Sequence, residues 1–137
     1  MNKQTLGDEY LRRGNLHGAV KAYILAGNKM KLTAVGRDFE KLGLCDNAIE
    51  AYKIGGDNKG LLTIGQKCME DGRFSSAIKA FKAINSEDML RKLGDECLAK
   101  GKLDYAFEIF SVLPDRSKLN ELADSCVKEG QYNYAIK

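Results

Sequence analysis

The chain has 137 residues, of which 44% are hydrophobic and 30% charged, and its formal net charge is +3 at pH 7. No stretch approaches the roughly 18 apolar residues of a membrane span, and residues 1–14 contain no apolar run typical of a signal peptide. We therefore expect a soluble, cytoplasmic protein without a membrane partner, and the weak, mixed charge disfavours nucleic acid.

Small residues recur every 29 residues along the chain. One glycine series is Gly14, Gly43, Gly72, Gly101 and Gly130, and the matching alanine series is Ala19, Ala48, Ala77, Ala106 and Ala135. Such self-similarity is typical of a repeat protein, in which each unit contacts only its neighbours. We expect one domain, 1–137, with repeats at approximately 1–27, 28–56, 57–85, 86–114 and 115–137, the last incomplete.

Within each repeat, apolar residues recur at helical spacing in two short segments, for example at Leu32, Val35 and Phe39 and then at Ala48, Ile49 and Tyr52. Helices this short are marginal alone and must pack against each other. The sequence therefore predicts an all-α solenoid of stacked antiparallel helix pairs with nine to ten short helices. In chain order the predicted helices are 3–13, 17–26, 29–42, 46–55, 58–71, 75–84, 87–100, 104–113 and 116–129.

Short oxygen-bearing side chains precede the predicted helices and are typical of N-caps. Those before the first helix of a repeat are Asn28, Asp57, Ser86 and Asp115, and those before the second are Asp46, Ser75, Asp104 and Asn133. His17 interrupts the second series, and we interpret it as a poor cap on the surface.

A further glycine series lies inside the first helices, where each glycine costs about 1 kcal/mol relative to alanine. Its members are Gly7, Gly36, Gly65 and Gly94. We expect that the two helices of a repeat cross closely at this glycine and the repeat's alanine, with Tyr23, Tyr52, Phe81 and Phe110 beyond the crossing.

The sequence offers no catalytic constellation, cofactor motif or metal-ligand cluster. Cys68, Cys97 and Cys126 share one repeat position, and Cys45 replaces an apolar residue of another. Equivalent positions in stacked repeats are about 10 Å apart, which is too far for a disulfide. We expect buried free thiols, no cofactor and no enzymatic activity.

The repeat resembles the tetratricopeptide family. The resemblance rests on Leu6-Gly7, then an aromatic residue three positions later, and then Ala19, Tyr23 and Ala26. This unit is five residues shorter than the family's, leucine replaces the family's early tryptophan in four copies, and the closing proline occurs only as Pro114. The resemblance implies a right-handed superhelix whose first helices line a concave groove that binds partner segments.

Transferring the family's groove positions to this sequence gives a surface of acidic, basic and apolar residues. Its candidate residues are Asp8, Leu11, Arg12, Arg37, Leu62, Met69, Arg91, Asp95 and Leu98. An apolar strip flanked by arginines suits an amphipathic helix or an extended peptide. Packing between repeats is the alternative role for the apolar members. The family's clamp for a terminal carboxylate uses Lys and Asn, whereas Gln4 and Asp8 stand here.

The second candidate surface is at the C-terminal end, where the fifth repeat is incomplete. Apolar residues of this repeat are expected to be partly exposed and to mediate end-to-end self-association or docking onto another protein. They are Leu119, Leu122, Val127, Tyr132, Tyr134 and Ile136. Fraying of this end is the alternative.

These patterns favour a non-enzymatic scaffold for protein–protein interaction. A helical repeat that binds RNA is the alternative, and it requires a continuous basic stripe that the alternating groove charges do not supply.

Overall fold

The computed structural model describes residues 3–115 and 117–128, with the side chains of residues 5–115 and 117–124. Within these ranges the chain is all-α, as predicted. The helices are α1 (Lys3–Arg12), α2 (Leu16–Ala26), α3 (Lys29–Lys41), α4 (Cys45–Gly55), α5 (Asn58–Glu70), α6 (Phe74–Ala83), α7 (Glu87–Ala99), α8 (Leu103–Val112) and α9 (Ser117–Lys128).

The helices pack as successive hairpins. α1 pairs with α2, α3 with α4, α5 with α6, and α7 with α8, and each second helix also contacts the first helix of the next hairpin. The second helices begin at Leu16, Cys45, Phe74 and Leu103, which keeps a constant step along the chain. One apolar core runs through the hairpins, because each helix buries a single face.

The aromatic residue of each second helix lies directly on the glycine of its first helix. A Cβ added to Gly36 would be 2.6 Å from the Tyr52 ring, and one added to Gly65 would be 2.5 Å from the Phe81 ring. At the predicted crossing, the atoms nearest to the glycine are those of the aromatic ring. This contact explains why a residue that weakens a helix occupies the helix interior.

The N-cap prediction is confirmed for the first helices. The side chains of Asn28, Asp57 and Ser86 accept hydrogen bonds from backbone N–H groups of α3, α5 and α7 at 3.0, 2.9 and 3.3 Å. Asp115 accepts one from the Ser117 N–H at 2.9 Å.

The N-cap prediction is wrong for the second helices, which begin one residue earlier than expected. Leu44, Arg73 and Lys102 occupy the cap position, and none of them makes a side-chain cap hydrogen bond. Asp46 instead lies in the first turn of α4 and accepts from the Ser76 hydroxyl of the next hairpin at 2.7 Å. Its side chain therefore joins two hairpins.

His17 is not a cap either. It lies exposed in the first turn of α2, with its ring centroid 5.3 Å from that of the buried Phe39 on the next hairpin. Asn15 caps α2 instead, because its side chain accepts from the Gly18 N–H at 2.9 Å.

Candidate functional site

The two faces of the stack differ in how neighbouring hairpins meet. Second helices contact each other directly, α4 with α6 and α6 with α8. The Asp46–Ser76 hydrogen bond and the Lys79–Asp46 ion pair at 3.2 Å also join α4 and α6. First helices of neighbouring hairpins contact each other less than second helices do. We call the exposed side of α1, α3, α5, α7 and α9 the first-helix face.

Ion pairs bridge two of the junctions on the first-helix face. Lys31 of α3 lies 3.5 Å from Asp8 of α1, and Lys118 of α9 lies 3.9 Å from Asp95 of α7. The two aspartates occupy one repeat position and the two lysines another. The α1/α3 and α7/α9 junctions are therefore joined by the same pair.

Asp8 also makes a hydrogen bond within its own hairpin. The hydroxyl of the buried Tyr23 donates a hydrogen bond to the Asp8 carboxylate. This hydrogen bond, and then Lys31, hold the pKa of Asp8 below its ordinary value. Burial and then the Asp8 hydrogen bond raise the pKa of Tyr23.

At the α3/α5 junction the same two positions hold Arg37 and Gly60, which cannot form this bridge. Gly60 has no side chain, and its N–H donates to the Asp57 cap at 2.9 Å. At this junction the space between α3 and α5 is open.

Three adjoining clefts occupy this junction, and the Arg37 side chain lines all of them. One of about 380 Å³ extends from Arg37 and Glu40 to Lys59 and Thr63 of α5. A second, of about 370 Å³, lies toward Lys29 and the end of α4, and a third, of about 290 Å³, lies toward Lys41 and Lys67. Together we call them the Arg37 cleft.

The Arg37 cleft has more positive than negative side chains. Its cationic side chains make no ion pair with any other residue whose side chain the structure describes; they are Lys29, Arg37, Lys41, Lys59 and Lys67.

Both acidic residues of the cleft are already engaged. Glu40 accepts a hydrogen bond from the Tyr52 hydroxyl at 2.7 Å, and Asp57 accepts from the backbone of α5. Burial and then the Glu40 contact raise the pKa of Tyr52, so this hydroxyl stays a donor at neutral pH. These neutral donors leave both carboxylates charged, so the cleft has five cations against two carboxylates and is positive on balance.

Of the predicted groove residues, Arg37 lies exposed in the cleft, whereas the charged residues Asp8, Asp95, Arg12 and Arg91 are ion-paired. Arg12 pairs with Glu9, and Arg91 lies 3.6 Å from Glu87 and 3.7 Å from Asp88.

The apolar groove residues are half-buried and pack against the core; they are Leu11, Leu62, Met69 and Leu98. Packing against the core covers most of their surface. The nine predicted residues lie on the first helices of four successive repeats, and the groove that they were predicted to form stays a prediction.

The C-terminal association surface is only partly described. Leu122 was predicted to be exposed, and this is wrong, because α9 packs on α8 and leaves Leu122 only 4% exposed. Leu119 is half-buried against the same core. The side chain of Val127 and all of Tyr132, Tyr134 and Ile136 lie outside the described residues.

Lys29, Lys59 and Lys67 were not singled out from the sequence. The sequence does, however, indicate the junction at which these lysines lie, through the residues that replace Asp8 and Lys31 in the other repeats. Asp8 and Lys31 recur as Asp95 and Lys118. Comparing these positions across repeats shows that both the α3/α5 junction, with Arg37 and Gly60, and the α5/α7 junction, with Gln66 and Met89, lack the pair. Only the α3/α5 junction has a cation in place of the aspartate.

The structure was also searched for metal sites and for membrane-spanning helices. Among the described residues, no group of three or more His, Cys, Asp or Glu side chains is placed to hold a metal ion. In the same part of the chain, no helix has the length and apolarity needed to cross a bilayer.

No known protein family matches the sequence, and neither does any curated protein. Among solved structures, a crystal structure of MamA is similar, with 22% sequence identity, coverage of 96% of this chain and 88% of that chain, and a TM-score of 0.36. A superposition at this TM-score is too loose to carry an inference about fold, partners or site. The assignment to a class, stacked all-α hairpins, rests on the helices and contacts of the chain itself.

Proposed function

We propose that this protein is a non-enzymatic protein-interaction scaffold, tetratricopeptide-like in its hairpins, that binds an acidic segment of a partner protein in the Arg37 cleft. The observation that supports this function is the set of five cations around one open junction, whose two acids are already hydrogen-bonded.

Charge complementarity favours an acidic partner over an apolar one. Each exposed ion pair contributes only about 0–1 kcal/mol, so several pairs must form together for measurable affinity. Such pairs contribute to orientation and association rate more than to tight binding. Arg37 is the central residue, since it lines every part of the cleft and its planar guanidinium can hold a carboxylate by two hydrogen bonds.

The extent of the charged surface favours a short protein segment over RNA. The positive cleft lies between Asp8 on one side and Asp95 on the other, both on the first-helix face. A nucleic-acid backbone that tracked along the repeats would pass these carboxylates. A peptide that spans one junction would not.

The test is a fluorescence anisotropy titration with a short labelled polyglutamate peptide. We expect wild type to bind and Arg37→Glu to bind at least about tenfold more weakly, which is about 1.4 kcal/mol. The matched control is Lys102→Glu. It makes the same change in net charge at an exposed cap, distant in sequence from the cleft, where a negative charge suits the start of α8.

Equal weakening by Arg37→Glu and Lys102→Glu would mean that the peptide senses net charge alone and would contradict a site in the cleft. Single-stranded RNA is the competing ligand. Tighter binding of RNA than of the peptide, with a steep salt dependence that Arg37→Glu leaves unchanged, would replace the protein-binding function with the RNA-binding one.

We further propose a cytoplasmic location. Cys45, Cys68 and Cys97 are free, and free thiols are typical of a reducing compartment.

Self-association through α9 stays a prediction. Sedimentation velocity over a wide concentration range checks it, since a single monomeric species throughout would remove it.

A further inference from the structure

Arg73 links two cysteines that belong to different repeats. Its guanidinium Nη1 donates to the Cys45 Sγ at 3.3 Å, and its backbone N–H donates to the Cys68 carbonyl at 2.8 Å. Cys45 begins α4, and Cys68 lies in the last turn of the neighbouring α5. The equal-position argument that excludes disulfides between repeats does not apply to this pair, because Cys45 and Cys68 occupy different positions of the repeat.

The two thiols differ in access. Cys45 is half-buried and lines an open cleft of about 280 Å³ together with Asp46, Arg73 and Ser76. Cys68 is 1% exposed and belongs to the core. Burial, and then the neighbouring Cys45 thiol, raise the pKa of Cys68 to about 12. Because the thiolate is the reactive form, Cys68 is a poor first target for an oxidant, and Cys45 is the accessible one.

The next repeat supplies an internal comparison. Cys97 has the same repeat position as Cys68, and the Lys102 N–H donates to its carbonyl at 2.7 Å just as Arg73 does for Cys68. At the position of Cys45, however, the repeat that precedes Cys97 has Phe74. Cys97 is fully buried, and burial raises its pKa to about 11. It is a buried thiol in a similar backbone setting without a cysteine at the partner position.

We propose that Cys45 and Cys68 form a peroxide-sensitive pair that closes to an intrachain disulfide. Hydrogen peroxide oxidises the Cys45 thiol to sulfenic acid and is itself reduced to water. The Cys68 sulfur then attacks the Cys45 sulfur, the S–O bond breaks, and the Cys68 proton leaves with the departing oxygen as a second water. A thiol reductant reverses the reaction.

The disulfide would tie the start of α4 to the end of α5. It would therefore join the two repeats whose first helices form the Arg37 cleft. A covalent link across this junction restricts how far the two hairpins can separate. It also lowers the conformational entropy of the unfolded chain. This inference depends on sulfur chemistry alone and stands or falls independently of peptide binding.

The test is peroxide treatment of the full native chain, followed by alkylation of the remaining thiols, trypsin digestion and mass spectrometry. Trypsin places Cys45, Cys68 and Cys97 in the separate peptides 42–53, 68–73 and 93–100. We expect a linked 42–53/68–73 product whose mass is lower than the sum of the two thiol peptides by two hydrogen atoms. We expect Cys97 to be recovered alkylated, and dithiothreitol to abolish the linked product.

The half-buried position of Cys45 makes Cys45→Ser the safer variant, and circular dichroism checks that it folds. In Cys45→Ser the link is lost and Cys68 is recovered as a thiol. In Cys68→Ser, if it folds, dimedone labels Cys45 as sulfenic acid. Oxidation of Cys97 as readily as Cys68, or oxidation of Cys45 in wild type without the link to Cys68, would overturn the pair.

Discussion

At the two bridging positions, the α1/α3 and α7/α9 junctions have aspartate and lysine, whereas the α3/α5 junction has Arg37 and Gly60 and the α5/α7 junction has Gln66 and Met89. The aspartate–lysine pair bridges the first two junctions, whereas the α3/α5 junction is open and is surrounded by cations that form no ion pair with the described side chains. The hairpins on either side are built alike, since each places an aromatic ring on a glycine. In this chain the repeat specifies the hairpin, and variation between hairpins specifies the site.

If the hairpins are equivalent, filling the space above their glycines should have similar effects beside open and bridged junctions. Gly36→Ala, Gly65→Ala and Gly94→Ala each place a Cβ 2.5 to 2.6 Å from a ring atom. We expect each to lower the free energy of unfolding by about 1–3 kcal/mol, with the helix propensity of alanine offsetting part of the overpacking. Urea denaturation measures this. A variant that is as stable as wild type would indicate that its ring–glycine contact is loose.

Closing the open junction should remove the site. The double variant Arg37→Asp with Gly60→Lys places the bridging pair between α3 and α5. We expect it to weaken polyglutamate binding at least about tenfold, or about 1.4 kcal/mol, because the central cation is lost and the added lysine is neutralised. Lys102→Gln, with the same net change in charge, is the control for the anisotropy titration. Unchanged binding in the double variant would place the site elsewhere.

The helices could be predicted from the sequence because apolar spacing and the turn residues give local, repeated signals. The starts of the second helices were misplaced by one residue, since Asp46 bonds across to Ser76 instead of capping its own helix. The open cleft could not be found from the groove positions of one helix. A comparison across repeats shows that the α3/α5 junction lacks the aspartate–lysine pair, but the clefts that Arg37 lines there depend on how α3, α4 and α5 pack.

Removing the ion pair from a bridged junction should change the free energy of unfolding only slightly. In a double-mutant cycle with Asp95→Asn and Lys118→Met, we expect a coupling of no more than about 1 kcal/mol, because both side chains are more than half exposed. Urea unfolding of the four proteins at low and high salt measures the coupling, which salt should reduce. A larger coupling that is independent of salt would mean that the junction is held by something other than this ion pair.

Acid should weaken the other bridge. The folded pKa of Asp8 lies below its ordinary value, because of the Tyr23 hydrogen bond and then Lys31. Its contribution to stability is therefore complete above the unfolded pKa of about 3.9 and is lost as pH falls through the lower folded pKa. The stability difference between wild type and Asp8→Asn should shrink as pH falls below about 4, as measured by urea unfolding at each pH. A difference that does not change with pH would contradict an ionised Asp8 in this contact.

The contrast between open and bridged junctions is tested most directly by two-dimensional amide NMR during a titration with the polyglutamate peptide. The account predicts that the largest shifts are at α3 and α5, around Arg37, Lys59 and Lys67. Amides around the Asp8–Lys31 and Asp95–Lys118 bridges should move little. Shifts of equal size at all the junctions, or shifts centred on a bridged one, would contradict a site defined by the missing bridge.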